Sequence, residues 1–267
     1  MILKLKQLLL CFGFFFACNK EKLIVMANLP NKLNEVSGME TLVNSDLIWV
    51  IEDSGNKNHV YGLNTKGDIE KDVVITNAEN IDWEDLASDN LGNLYIGDFG
   101  NNSKNRKKFT VYKVSDLKTD KTTAESIHFS LPDKVDDEDF EAFFIFKKHI
   151  YIFSKSDKKA IVIKIPNQPG THVAEYVSSF NLKGKNNKIT AADISSDGKT
   201  IILLGHERIW ELTNFKSDNF VSGKIKKHNL EHNSQKEGIC FLTDSKLIIS
   251  DERDGKKDGT IYQFNLD

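Results

Sequence analysis

Five stretches of the chain read as versions of one another: EVSGMETL from Glu35, DWEDLASD from Asp82, DFEAFFIF from Asp139, ITAADISS from Ile189 and QKEGICFL from Gln235. They recur at about 45–55 residues, the period of a radial β-repeat in which each unit supplies one blade of a propeller. Four of the five place acidic or amide side chains at the same point. Glu35, Asp82 with Glu84, Asp139 with Glu141, and Glu237 all stand where an innermost strand begins. Innermost strands surround the central channel, so these acids are expected to converge on its mouth.

Turn signals and alternating apolar residues divide each repeat into strands. The first reads as Gly38–Val43, Leu47–Glu52, Val60–Asn64 and Asp68–Ile75. The second reads as Leu86–Ser88, Asn93–Asp98, Phe109–Val114 and Ser126–Leu131. The third reads as Ala142–Phe146, Ile150–Ser154, Ala160–Ile165 and Val173–Leu182, and the fourth as Ala192–Ser195, Thr200–Gly205, Arg208–Thr213 and Lys224–Leu230. The last repeat offers only Ile239–Leu242, Lys246–Ser250 and Thr260–Asn265 before the chain stops. The orphan strand Leu23–Leu29 is expected to complete it, which closes the ring and removes exposed sheet edges. The expected fold is all-β: a β-propeller of about five blades. A sixth blade requires extra strands in Thr119–Asp139, a polar, acidic stretch that reads as a long loop.

Two more features bound the chain. Of its 267 residues 17 are Phe and only 4 are Pro, a balance that suits packed strands and not a disordered chain. The N-terminus reads as an export signal: Lys4 and Lys6, then the apolar run Leu8–Ala17, ending at Cys18. Phe15-Phe16-Ala17-Cys18 resembles a bacterial lipobox with Phe where Leu is usual; ordinary secretion with a nearby cut is the alternative. The expected division is a signal over 1–17, a tether over 18–22 and the propeller over 23–267. Lipidation of Cys18 would hold the protein in the bacterial cell envelope, at the outer membrane or facing the periplasm. Loss of 1–17 removes two lysines and no acid, taking the net charge from −3 to −5. A mildly acidic protein is a poor nucleic-acid binder, so no nucleic-acid partner is expected, and a monomer is. Cys11 leaves with the signal and Cys18 takes lipid, so Cys240 has no disulfide partner and reads as an inert buried thiol.

The ends of the second strands deliver a second polar set to the same rim: Glu52-Asp53-Ser54-Gly55, Asp98 with Asn101-Asn102, Ser154-Lys155, His206-Glu207 and Asp251-Glu252-Arg253. Crowded carboxylates repel and lose hydration, so a cation should offset them. Carboxylates are hard oxygen donors that suit Ca²⁺, or Mg²⁺. There is no Cys pair and no HExxH spacing for zinc. No GxSxG elbow, P-loop or dinucleotide fingerprint is present. His206 is a candidate base or ligand, against the plainer reading of a surface histidine near a turn. Arg253 can bind an anionic group or pair with Asp251 or Glu252. Trp83, between two acids, is the rim candidate among the tryptophans; Trp49 and Trp210 read as core. The run Lys104–Lys108 reads as a solvated loop.

Several of these elements together resemble a group of secreted propellers that includes the esterase-like phytase domain and SdiA-regulated families. They are Glu35-Val-Ser37-Gly38, Trp49 followed by Asp53-Ser54-Gly55, Trp83-Glu84-Asp85-Leu86-Ala87, Gly92-Asn93-Leu94-Tyr95-Ile96-Gly97-Asp98, Glu237-Gly238-Ile239 and Ser250-Asp251-Glu252. The resemblance spans most of residues 30–267. It implies a calcium ion in the channel that polarises a phosphoryl or ester oxygen and activates water, as also in the more distant lactonase and paraoxonase propellers. It carries over Glu35, Asp82, Glu84, Asp139, Glu141 and Glu237 as metal ligands. If the site is catalytic, a rim carboxylate such as Glu84 or Glu141 would take the proton. The rim set Asp53, Trp83, Asp98, Asn101, Asp251, Glu252 and Arg253 would then meet the ligand. The fourth repeat departs from the pattern, with Ala191-Ala192 and a displaced Asp193, and no dense basic cluster for a polyphosphate substrate is present. Two functions stay open: a membrane-anchored propeller whose calcium site binds a ligand or hydrolyses a phosphoester, ester or lactone, or a non-enzymatic module presenting its rim to a protein or glycan.

The anchor has a direct test. Cells expressing the wild-type chain should incorporate radiolabelled fatty acid into it, and the Cys18→Ala variant should carry no label; equal labelling of both removes Cys18 as the lipid site.

Overall fold

The computed structural model describes residues 23–182, 184–253 and 258–266. The expected signal, Cys18 and the rest of the tether lie outside the described residues. The chain forms five antiparallel sheets, the blades of a propeller. Blade I holds Val36–Thr41, Ile48–Glu52, His59–Leu63 and Ile69–Ile75, and blade II holds Trp83–Ser88, Leu94–Asp98, Phe109–Val114 and Glu125–Ser130. Blade III holds Phe140–Phe146, His149–Ser154, Ala160–Pro166 and Glu175–Phe180, and blade IV holds Ala191–Ile194, Thr200–Gly205, Arg208–Thr213 and Lys224–Asn229. Blade V holds Lys236–Thr243, Lys246–Asp251 and Thr260–Asn265. Its fourth strand is Ile24–Asn28, which pairs antiparallel with Thr260–Asn265, so the two ends of the chain share one blade as expected.

The first strand of every blade touches the first strands of both neighbouring blades, which closes the ring around an axis. The acidic stretch before Asp139 adds no sixth blade. Lys121–Thr122 instead lies parallel to the outer strand of blade I. The stretch read as one strand from Val173 is divided: Gly170–Val173 joins the outer edge of blade II in parallel, and Glu175–Phe180 closes blade III. Each added strand comes from the connection following the next blade's third strand, so it stitches neighbouring blades together.

The core lies between the blades. Five apolar clusters occupy the five interfaces, for example Trp49, Ile51, Trp83 and Leu94 between blades I and II, and Phe144, Phe153, Trp210 and Phe220 between III and IV. Burial of each such side chain stabilises by about 1.5–3 kcal/mol. Flat rings suit the wedge between two diverging sheets, and Phe220 meets Phe144 and Tyr151 edge-on at 5.3 and 4.9 Å.

Two local features shape the channel. In four blades the pairing of the first two strands skips one residue at the same place, between Val36 and Gly38, Trp83 and Asp85, Phe140 and Ala142, and Lys236 and Gly238. The bulged residues are Ser37, Glu84, Glu141 and Glu237. A bulge breaks the alternation of side chains and re-aims one of them; all four line a cavity at the acidic mouth. Blade IV, the repeat without the acid, has no such bulge.

Below the bulges, the first strands come close. A Cβ on Gly38 would lie 2.8 Å from the Cα of Asp85. Beside Gly38, Ala142, Ala191 and Gly238, Asp85 alone carries a polar side chain at this level, and it is fully buried. Its Oδ2 accepts the backbone N–H of Phe143 at 3.1 Å and of Ala192 at 3.2 Å, and its Oδ1 that of Leu86 at 2.9 Å. One carboxylate thus joins blades II, III and IV. Asp85→Ala leaves those three amides without an acceptor, and each costs about 1–3 kcal/mol. The expected loss on urea unfolding is at least ~3 kcal/mol, with Asp85→Asn intermediate because one amide oxygen still accepts. An alanine variant as stable as wild type would remove Asp85 as the pin.

Candidate functional site

A cavity of about 190 Å³ opens at the mouth where the first strands begin. The bulged residues Ser37, Glu84, Glu141 and Glu237 form its floor, and Glu35, Asp53, Lys155 and Glu252 its wall. The first three blades bring the acids closest. Single carboxylate oxygens of Asp53, Asp82 and Glu84 lie within 4.8 Å of one another, and so do those of Glu84, Asp139 and Glu141. Glu84 belongs to both groups. Room for them depends on Gly100, whose Cβ would fall 2.0 Å from Glu84 Oε1 and 2.4 Å from the Asp82 carboxyl. The Oδ2 of Asp98, beside this group, is buried with no hydrogen-bond donor.

Burial dominates the electrostatics. It holds the Glu84 carboxyl well above the ordinary range, and the charges of Glu141, Asp53 and Asp82 push the same way. Asp82 is pushed up to about 6 by burial and then by Asp53. Glu141 rises to about 8: burial raises it, Lys155 draws it down, and Asp139 and Glu237 raise it again. Glu252 rises to about 7 through burial, with Glu237 and Glu35 adding to it. The counter-charge is Lys155, whose ammonium lies 2.8 Å from Glu141 Oε1. Burial works against its charge, but Glu141 and Glu237 outweigh burial and keep it protonated.

The structure sorts the sequence-derived residues. Asp82, Glu84, Asp139 and Glu141 meet as expected, and Asp53, expected on the rim, joins them. Glu35 lines the wall and accepts a hydrogen bond from Asn56 Nδ2 at 2.8 Å. Glu237 faces His206, whose Nε2 is 3.2 Å from Glu237 Oε1 at the half-exposed edge. Glu252 lines the cavity and accepts from Gln235 Nε2 at 2.8 Å.

Five rim expectations are corrected. Trp83 is fully buried between blades I and II, its indole donating to the Glu79 carbonyl at 3.0 Å; its side chain falls on the core side of the bulge. Asp98 is buried, with its Oδ1 taken by the Asp82 N–H and by Arg106. Asn101 caps its own loop, accepting from the amides of Asn105 and Arg106 and donating its own N–H to Asp139. Asp251 is buried and accepts from the Thr260 amide and the Tyr262 hydroxyl. Arg253 pairs with neither Asp251 nor Glu252 but with Asp258, and it clasps Asn31 and Asn34. The run Lys104–Lys108 is not simply solvated either. Arg106 is largely buried against Asp98, while Lys104 and Lys107 pair with Glu138 and Asp137 of the acidic loop.

Lys155 lines the mouth, though the sequence marks it only as part of Ser154-Lys155 with no role, and Asp53, expected on the rim, joins one of the three-acid groups. Both stand just past the end of a second strand, the position that supplies the rim, so the signal was present and lacked only a means to rank one rim residue above another.

No family model and no curated protein matches the sequence. The fold is similar to that of a luciferin-regenerating enzyme (12% identity, TM-score 0.51, over 86% of this chain and 77% of that one). It is similar to a gluconolactonase from Xanthomonas campestris (8% identity, TM-score 0.51, 87% and 72%). It is also similar to the PQQ-bound aldose sugar dehydrogenase of Streptomyces coelicolor (8% identity, TM-score 0.52, 92% and 98%). At these identities the likeness shows a shared propeller fold.

The raised acids fix a pH dependence. Asp82, Glu141 and Glu252 titrate above their unfolded values near pH 4. Between about pH 4 and pH 8 the native state therefore binds more protons than the unfolded chain, and its stability falls as pH rises. In metal-free buffer the melting temperature should drop from pH 5 to pH 8. A cation that binds the ionised carboxylates competes with protons, so added Ca²⁺ should raise the melting temperature more at pH 8 than at pH 5. A Ca²⁺ shift that is absent, or equal at both pH values, counts against a cation at these carboxylates.

Proposed function

We propose that the chain is an envelope-anchored propeller whose acidic mouth binds a divalent cation, Ca²⁺ in preference to Mg²⁺, and hydrolyses an ester, lactone or phosphoester. The observation that carries this reading is Glu84, a buried carboxylate shared by two three-acid groups whose oxygens lie within 4.8 Å. Among the described residues Lys155 is the cation paired directly with one of these groups, through Glu141, an arrangement that a hard cation relieves. Asp53, Asp82, Glu84, Asp139 and Glu141 would hold it. A bound cation of this kind supplies Lewis-acid polarisation of the reacting oxygen.

The remaining roles fall to the chain's own groups. Lys155 is a fixed positive charge inside the mouth, placed to meet negative charge that develops on a carbonyl or phosphoryl oxygen. Glu252, half-buried on the wall and titrating at about 7, is matched to proton transfer near neutrality. Glu237 orients His206 at the edge of the cavity and gives it a partner if it becomes charged. Glu84 and Glu141 become proton acceptors only when a cation lowers their affinity for protons. The fold's likeness to a gluconolactonase favours lactones as the first substrates to try.

One observation favours the alternative of a binding module for a protein or glycan. The cavity, about 190 Å³, is smaller than the roughly 300–1,000 Å³ typical of small-molecule sites.

Calorimetric titration with Ca²⁺, paired with turnover of a panel of lactones, aryl esters and phosphoesters with and without chelator, separates the two. The hydrolase predicts one Ca²⁺ site, chelator-sensitive turnover, and at least a roughly tenfold loss of Ca²⁺ affinity in Glu84→Gln. Calcium binding without turnover selects the binding module. No heat with millimolar Ca²⁺ or Mg²⁺ ends the metal reading.

A further inference from the structure

The cation reading uses one mouth of the channel; the opposite mouth has a different character. There the loops joining first to second strands surround a cavity of about 1040 Å³. This cavity shares no lining residue with the acidic one, and Asp85 lies between them. Three large apolar side chains stand out on these loops: Val43, Leu91 and Leu242, exposed by 64, 80 and 43%. The loop charges balance, with Asp46, Asp89, Asp197 and Asp244 against Lys147, Lys148, Lys199 and Lys246, while Glu40 and Asp193, also in the cavity lining, are buried with raised carboxyls. At the acidic mouth the carboxylates of Glu35, Asp53, Glu84, Glu141, Glu237 and Glu252 share the lining with one lysine, Lys155.

The path of the chain joins this face to the anchor. In blade V the strand Lys236–Thr243 runs from the acidic mouth to the apolar one, Lys246–Asp251 returns, and Thr260–Asn265 runs out again. Ile24–Asn28 is antiparallel to that last strand, with Ile24 opposite Gln263 and Asn28 opposite Thr260. The described chain therefore starts at the apolar end of blade V. Leu23 packs against the core between blades IV and V, and Ile24 beside it is 48% exposed. From Leu23 back to Cys18 there are five peptide steps, which reach roughly 17 Å when fully extended. The acidic end of the strand Ile24–Asn28, at Asn28, lies about 17 Å from Leu23, so the tether meets a membrane on the apolar side without spanning the blade, whereas one on the acidic side would take its whole extended length.

We infer that the first-to-second-strand loop face, with Val43, Leu91 and Leu242, rests on the membrane that holds the lipid of Cys18, and that the acidic mouth points away from it into the aqueous compartment. The inference rests on the reading of Cys18 as the lipid site. A lipid chain alone gives weak anchoring, and a second apolar contact strengthens it. Neutral loops can approach an anionic lipid surface without the repulsion that the carboxylate mouth would meet. Substrate or partner then reaches the acidic mouth from solution.

The test uses full-length protein, lipidated in cells and reconstituted into phosphatidylethanolamine–phosphatidylglycerol vesicles. Leu91→Cys and Ile81→Cys variants are each labelled with an environment-sensitive fluorophore. Ile81 is 51% exposed beside Asp82 at the acidic mouth, and native Cys240 is buried from the reagent. Vesicle flotation reports the anchor, and nitroxide-bearing lipid reports proximity. The expected result is flotation of both variants, with a blue-shifted emission quenched severalfold more strongly by the nitroxide for Leu91→Cys than for Ile81→Cys. Flotation with equal or no quenching overturns the orientation while leaving the anchor intact. Loss of flotation overturns the anchor and the orientation with it. A blue shift for Leu91→Cys that appears without vesicles and grows with protein concentration assigns the face to a second copy of the chain instead. Calcium binding, measured separately, is indifferent to all four outcomes.

Discussion

The first strand of each blade has a neighbour on one side only, and its other edge faces the axis with backbone amides that no strand can pair. Every other requirement of the channel follows from satisfying those amides without water. The chain meets the need with carboxylates. Asp85 accepts from blades II, III and IV; Asp193 accepts from the Phe241 amide of blade V at 2.8 Å and from Ile194 at 2.7 Å; Glu40 accepts from Thr41 at 2.6 Å. Burial raises all three, and Asp193 is pushed up to about 7. Asp85 and Asp193 receive amide hydrogen bonds on both oxygens, and such an acid is a structural pin even when it is buried and perturbed. Glu84 and Glu141 differ in kind: they face other carboxylates and a lysine, and no amide donor to either is resolved. The type of partner, more than the size of the perturbation, separates pins from candidate ligands.

The repeat spacing made the blade number, the closure by the N-terminal strand and the convergence of acids on one mouth legible, because all three depend only on where strands begin and end. The chemistry inside the channel was less legible because it depends on the bulges. Strict alternation puts Glu84 and Asp85 on opposite faces of one strand. The bulge turns Glu84 into the mouth and leaves Asp85 on the axis, so two adjacent acids take different tasks at successive levels of the same channel. The same bulge sends Trp83 into the core, and nothing in DWEDLASD marks where pairing slips by a residue. The rim positions Asp98, Asn101, Asp251 and Arg253 failed for another reason. Turns and strand ends leave amides of their own, whose hydrogen bonds Asp98, Asn101 and Asp251 accept, while Arg253 donates to Asn31, Asn34 and Asp258. Proximity to the mouth was readable from sequence, but prior commitment to a loop was not.

The stability cost of the site is concentrated in a small part of the ring. Blades I, II and III contribute Asp53, Asp82, Glu84, Asp139 and Glu141, while blade IV, which has neither bulge nor mouth acid, gives Thr190, whose hydroxyl donates to the Lys236 carbonyl at 2.7 Å. The fourth repeat therefore acts as a neutral spacer that closes the ring without adding repulsion. Blade V adds Glu237 and Glu252 at a greater remove, paired with His206 and Gln235. Gly100 fits the same plan, since any side chain there would displace Asp82 and Glu84. Such crowding costs stability that amides or apolar residues would not, and its presence on three successive blades, each with a bulge at the mouth, is what supports the proposal of a ligand there.

The two ends of the channel are unlike because a propeller built from antiparallel blades has a fixed polarity. Every first strand leaves the acidic mouth and every first-to-second-strand loop arrives at the other, so a residue's position in its repeat decides which face it serves. Early positions and second-strand ends accumulate carboxylates at one mouth; the opposite face carries the exposed Val43, Leu91 and Leu242. Closure by Ile24–Asn28 then sets which face the chain's own N-terminal segment leaves from, because that strand must run antiparallel to Thr260–Asn265. Ring closure, which removes a sheet edge, thereby also fixes the end of the channel from which the N-terminal segment departs.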